Sequence, residues 1–301
     1  MTTSTRYSLE DVTKIKHFGF TFELPKVTQE LIMDLSKLVG SPDYIKTPIF
    51  QKKKPDSEPD WNMIKKFKPT AKVERTDNEV LIQNVKVSLN KMTDKNYDTM
   101  RDVVFENLSK LETTDLFDSV NDIIFNIASS NRFYSKVYAT LYKELIVTPI
   151  IGEKFQERLK NEISNYLERY ANIKIIDANE DYEAFCEANK ENERRKAMTE
   201  FFIHLMILNV IDVSDIKNIY DKLCDLTLEH KFSEEHKQTN IEISENIYII
   251  INSGCTVFKE QGLIVSMIDK VRAISNLKVK QHPGLSNKAS FKFMDVIDIK
   301  V

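Results

Sequence analysis

The chain is expected to fold as an all-α solenoid, a stack of about five helical hairpins behind a partly extended N-terminal arm. Three observations lead there. Glycine and proline are scarce, at 6 and 8 of 301 residues, while charged residues make up 30% and hydrophobic residues 42%, a balance that suits helices better than sandwiches or glycine-rich nucleotide folds. Beyond Val80, apolar residues recur every three or four positions, the mark of helices with one buried face. The links between these segments are a few residues long, and a short link makes consecutive helices lie antiparallel.

The clearest stretch, Leu89 to Leu145, holds three such helices. Tyr97, Met100, Val103, Val104, Leu108 and Leu111 form the first stripe, with Thr93 and Asp94 as its expected cap. Thr113, Thr114 and Asp115 offer capping oxygens for the second, which carries Leu116, Val120, Ile123, Ile124 and Ile127. After the break at Ser129, Ser130 and Asn131, the third stripe is Phe133, Val137, Tyr138, Leu141, Tyr142 and Leu145. A helix from Val80 to Lys91 leads into this stretch.

Further along, EKFQERLKNEISNYLERY reads as one helix with Phe155, Leu159, Ile163, Tyr166, Leu167 and Tyr170 on a single face. Residues 177–196 are highly charged and poor in large apolar side chains, so a solvated excursion is expected there. Met198, Phe201, Phe202, Leu205 and Met206 begin the next pair. Its second member carries Ile216, Ile219, Tyr220, Leu223 and Leu226 behind a cap at Ser214-Asp215. Ile243, Ile247, Ile250 and Ile251 follow, then Leu263, Met267, Val271 and Ile274, and the array closes near SFKFMDVIDIKV. About ten helices with hairpin spacings near 40 residues match HEAT-type repeats, whose stacked pairs present an extended face.

Three regions result: 1–40, 41–79 and 80–301. In the first, Ser8 caps a short helix with Tyr7, Val12 and Ile15 along one edge. A second helix there carries Val27, Leu31, Ile32, Leu35 and Leu38. The middle region has five of the eight prolines and the charged run KKKPDSEPD, which marks a linker. Within it Trp61 and Phe67 alternate with Lys65, Lys66, Lys68 and Lys72, a pattern that can stack on bases and pair with phosphates.

Several chemistries find no support. There is no phosphate loop, GxSxG or HExxH, so no enzyme and no cofactor are expected. Cys186, Cys224 and Cys255 are too far apart for a disulfide framework or a zinc site and point to a reducing compartment. No apolar run approaches a membrane span and the start is polar, so the cytoplasm is the expected location, with no membrane partner. A net charge of -3 confines any RNA contact to local patches. The many lysines, asparagines and isoleucines fit an AT-rich coding genome, such as that of a protist or a large DNA virus.

LNKMTDKNYDTM followed by DIIFNIASSNRFYSKVYATLYKEL resembles the middle domain of eukaryotic translation initiation factor 4 gamma. EKFQERLKNE, the run Arg194-Arg195-Lys196 before FFIHLMILNVI, and FKFMDVIDIKV extend the likeness over about residues 75 to 301. Asp94 stands where that family has proline, and Ala197 to Glu200 replace a glycine-containing helix start. Residues 6 to 16 resemble the peptide by which proteins dock on the mRNA cap-binding initiation factor subunit. Here Val12 replaces a leucine, and Thr13 stands where a hydrophobic residue is usual.

The resemblance implies a translation initiation scaffold that bridges the cap-binding subunit and a DEAD-box RNA helicase of the initiation factor 4 alpha type, stimulates the helicase and holds mRNA. Tyr7, Leu9, Val12, Thr13 and Ile15 would dock on the cap-binding subunit. Phe67, Lys68 and Pro69, in place of a Trp-Lys-Pro sequence, would contact the helicase together with Leu89, Asn90, Lys91 and Tyr97. Lys65, Lys66, Lys72, Arg194, Arg195 and Lys196 would meet RNA. Two other readings share the fold: a repressor that sequesters the cap-binding subunit, and a scaffold of mRNA decay or processing that binds another DEAD-box helicase.

Overall fold

A computed structural model describes residues 8–18, 24–39, 76–111, 114–171, 173, 176 and 179–299. All regular structure among them is helical, in twelve α-helices and three short 3-10 segments. They belong to two compact units, one within Met1–Lys72 and one within Val73–Val301.

The first unit contributes α1 (Leu9–Phe18) and α2 (Lys26–Val39). Ser8 caps α1 as expected: its hydroxyl accepts the Asp11 amide at 3.2 Å, and its own amide donates to the Asp11 carboxylate at 2.9 Å. This reciprocal bond is worth about 1 kcal/mol to a helix too short to hold itself. On α2 the expected stripe forms, and Val27, Leu31, Ile32 and Leu35 on it are exposed.

The second unit opens with α3 (Asp77–Lys91), started by a capping box between Thr76 and Glu79. Next come α4 (Tyr97–Ser109), α5 (Thr114–Ala128), α6 (Ser135–Val147) and α7 (Gly152–Ser164). After a 3-10 turn at Tyr166–Tyr170 run α8 (Tyr182–Ile207), α9 (Val213–His230), α10 (Lys237–Glu260), α11 (Ile264–Ser275) and α12 (Asn287–Ile297). The helices α6, α8, α10 and α12 pack one on the next in a row. On this row lie α7 against α6, α9 against α10 and α11 against α12. An all-α, solenoid-like array of neighbouring helices is therefore present, and its first helix starts at Asp77 rather than Val80.

One continuous core runs through the unit. At its first junction Tyr142 is fully buried, and its ring meets Phe125, Phe155 and Phe201 edge-on at 5.9, 5.4 and 5.6 Å. Four helices, α5 to α8, thus share one aromatic cluster, each pair adding about 0.5–1.5 kcal/mol beyond its burial. The Tyr142 hydroxyl donates to the Phe155 carbonyl at 3.0 Å, which removes the cost of burying it.

Several expectations are corrected. Residues 177–196 are not an excursion as a whole, because α8 already begins at Tyr182. The Asp181 carboxylate caps it at the Ala184 amide, and ion pairs such as Glu187–Lys190 at 3.6 Å support its wet side. Asn192 and Arg195 are buried on the other side. The segment EKFQERLKNEISNYLERY is not one helix: α7 stops at Ser164, and the 3-10 turn aims Tyr166 and Tyr170 into the core. There the Tyr166 hydroxyl bonds the hydroxyls of Tyr170, at 2.9 Å, and Thr199, while Thr199 bonds Asn246 at 2.7 Å. The N-caps also shift. Asn96 and Asp212, not Thr93-Asp94 and Ser214-Asp215, precede α4 and α9, each without a side-chain capping bond.

The turn from α6 to α7 is strained. Ile150 has φ 74° and is almost wholly exposed, and a β-branched residue in the left-handed region costs about 1–3 kcal/mol. The Gly152 amide closes the turn on the Thr148 carbonyl at 2.9 Å. Only glycine fits at 152, because a Cβ there would collide with the Ile146 carbonyl oxygen.

Candidate docking edge

The end of α3 is set by buried groups. Leu89 is fully buried, and its carbonyl accepts the Tyr138 hydroxyl at 2.9 Å. Asn90 and Lys91 follow it on the surface. The turn beyond them is held by Asn96, whose side chain accepts from the Thr93 amide at 2.7 Å and donates to the Lys91 carbonyl at 2.9 Å. These two bonds from one side chain hold the turn that follows α3.

Tyr97, the first residue of α4, is half-buried, and its hydroxyl donates to Glu144 on α6 at 2.9 Å. Burial, then the bond to Glu144, pushes its phenol far above the usual range, so it remains a neutral donor. Arg101 lies over its ring at 5.8 Å and pairs with Glu144 at 3.6 Å. Of the four residues expected at a helicase contact beyond the linker, Leu89 supports from beneath, Tyr97 clamps α4 to α6, and Asn90 and Lys91 face outward.

Between α5 and α6 the structure departs most from the periodic reading. Phe133 is not in the core but 86% exposed, because α6 begins only at Ser135. Asn131 accepts the Tyr134 amide at 3.3 Å, and the rings of Phe133 and Tyr134 meet edge-on at 4.9 Å. Two clefts flank this turn. One, of about 520 Å³, is lined by Asn90, Asn126, Ile127, Tyr138 and Glu193; the other, of about 460 Å³, by Phe133, Ser135, Glu200, His204 and Ser253. Arg132 lines both. The end of α3, the α5–α6 turn and the middle of α8 thus form one edge, centred on an exposed aromatic ring.

Glu200 ties this edge together. It accepts the Ser253 hydroxyl at 2.8 Å, lies 3.5 Å from His204 Nε2 and 3.7 Å from Arg132 Nε. A serine, a histidine and a carboxylate therefore meet, but the carboxylate lies between the other two. The hydroxyl donates to Glu200 rather than to the imidazole, so nothing here makes the serine a nucleophile. The trio joins α8 to α10 and holds Arg132 beside Phe133. Nothing in the sequence linked Glu200 with Ser253, which are 53 residues apart.

Burial holds the His204 imidazole below its usual range, with Lys136 adding to this and Glu200 opposing it. A histidine with a lowered folded value contributes stability that is complete above the unfolded value near 6.5, and that contribution is lost as pH falls from there. The full chain should therefore melt lower at pH 5.5 than at pH 7.5. His204→Gln should reduce that difference, and an unchanged difference would show that His204 plays no part.

The run Arg194-Arg195-Lys196 is divided by the fold. Arg195 is buried over the Tyr170 ring at 5.9 Å, donating to the Arg169 carbonyl and the Asn192 side chain. Lys196 is mostly covered and paired with Glu193. Arg194 bonds Asn126 at 2.9 Å beside the first cleft. The three do not form one cationic surface, and the expectation for Arg195 gives way to a packing role. Lys65, Lys66, Phe67, Lys68, Pro69, Lys72 and Tyr7 lie outside the described residues.

On α1, Leu9, Val12 and Ile15 are 88%, 56% and 38% exposed, and Thr13 turns its hydroxyl back to the Leu9 carbonyl at 2.8 Å. This local bond explains how a threonine is accommodated within the helix. Among the described residues no group of three histidine, cysteine, aspartate or glutamate side chains could hold a metal, and no helix is long and apolar enough to cross a membrane. The chain matches no protein-family model, and a search of curated proteins gives no match.

Proposed function

We propose that this protein is a translation initiation scaffold that joins the mRNA cap-binding subunit to a DEAD-box RNA helicase. The observation that carries the helicase half is the α5–α6 turn, where exposed Phe133 lines one cleft and the adjacent Arg132 lines both that cleft and a second one lined by Asn90. An exposed aromatic ring beside an open cleft has the form of an interface anchor, since binding energy concentrates in a few large side chains that fill pockets on the partner. The cap-binding half rests on α1, a capped helix with Leu9, Val12 and Ile15 uncovered, the pattern of a helix that docks in a groove.

The mechanism needs no chemistry from the scaffold. A helicase cycles between open and closed arrangements, and a protein that binds the closed-ready one more tightly shifts the population toward it. Equal affinity for both would shift nothing. Tethering the helicase to the cap-binding subunit raises its effective concentration at the cap.

Pull-downs with the full chain and a Tyr7→Ala variant, scored separately for the two partners, test the reading. Tyr7→Ala should lose the cap-binding subunit and keep the helicase. Retention of both would remove the docking-peptide assignment. Added to the helicase with RNA, the wild-type chain should raise ATP turnover, and absence of stimulation would count against the scaffold. Reporter translation on tethering separates an activator from a repressor.

A further inference from the structure

The last helix of the row, α12, buries Ala289, Phe293 and Val296 against its neighbours. Its opposite face is exposed and reads Lys288, Phe291, Met294, Asp295, Asp298. Phe291 and Met294 are 64% and 45% exposed, an apolar centre on a face otherwise lined by charges. The charges on this face also run against the helix dipole, which favours anions at the N-terminus and cations at the C-terminus. Here Lys288 lies in the first turn, and Asp295 and Asp298 lie at the end. Asp295 pairs with Lys292 at 3.1 Å. Lys288 and Asp298 form no ion pair with any described residue, and Lys288 acts on buried Glu242 only at longer range.

We propose that this face binds a second copy of the chain, α12 against α12, in an antiparallel twofold arrangement. An axis between Phe291 and Met294 sets each phenylalanine against the methionine of the second copy. The same axis brings each Lys288 opposite the other copy's Asp298. The order cation, apolar centre, anion is complementary to itself only when antiparallel, because parallel helices would set like charges together. The charge order that opposes the dipole within one helix is thereby satisfied between two. A contact of one helix per copy is small, so the association is weak and depends on concentration.

The test is sedimentation velocity of the full chain over a wide concentration range at low salt. Wild type should pass from monomer to dimer as concentration rises, and Phe291→Asp should remain monomeric. Lys288→Asp alone, or Asp298→Lys alone, sets like charges opposite each other at both symmetric positions. Each should weaken dimerisation by about tenfold, and the double variant should recover the wild-type midpoint. Each single change also improves the charge order within α12, so its melting temperature should not fall, which separates lost association from lost folding. A chain that stays monomeric throughout, a dimer untouched by Phe291→Asp, or a double variant no better than either single one overturns the proposal and leaves the face to a different protein.

Discussion

Phe201→Ala is expected to lower the stability of the second unit by about 3–5 kcal/mol, the usual cost of emptying a buried aromatic site. Phe201 is fully buried on α8, and its ring meets Phe125 on α5 and Tyr142 on α6 edge-on at 6.0 and 5.6 Å. Removing the ring leaves a void between three helices. Two of them are also tied elsewhere, α6 through the Tyr138 and Tyr142 hydroxyls and α8 through Thr199, so collapse to fill the void is restrained. Denaturant unfolding of the full chain measures the effect. A loss under about 1 kcal/mol would show that the junction repacks freely.

Phe133→Ala should do the opposite. With its ring outside the core, its loss should change stability by no more than about 0.5 kcal/mol. If the α5–α6 turn is the helicase anchor, affinity for the helicase should fall by about thirtyfold or more, the measure of an anchor worth at least about 2 kcal/mol. Titrating labelled helicase with wild-type and variant chains, alongside their melting curves, separates the two effects. Unchanged affinity would exclude Phe133 from the contact. A large fall in melting temperature would mean that the ring is covered in solution.

Both residues are phenylalanines within apolar stripes at helical spacing, and periodicity assigns both to the core. The difference is local. Asn131 and the turn after it delay the start of α6 until Ser135, so Phe133 sits before the helix and its expected angular position does not apply. A similar limit affects Tyr166 and Tyr170. Their spacing continues the stripe of α7, yet the chain changes to a 3-10 turn there, because Thr199 on a distant helix offers a buried partner. Arg195 read as part of a basic run, and it is the neighbouring Tyr170 and Asn192 that draw it inward.

What the sequence by itself determined is the all-α class, the count of about ten helices in the second unit and the buried stripes of most of them. Those follow from the 3.6-residue period and from short links, both local properties of the chain. The tertiary structure alone decided where helices stop, which stripe residues leave the core, and that Glu200, Ser253, His204 and Arg132 meet at one edge. These depend on contacts between residues far apart in sequence, where burial and hydrogen bonding outweigh local propensity by more than the few tenths of a kcal/mol that separate one helix end from the next.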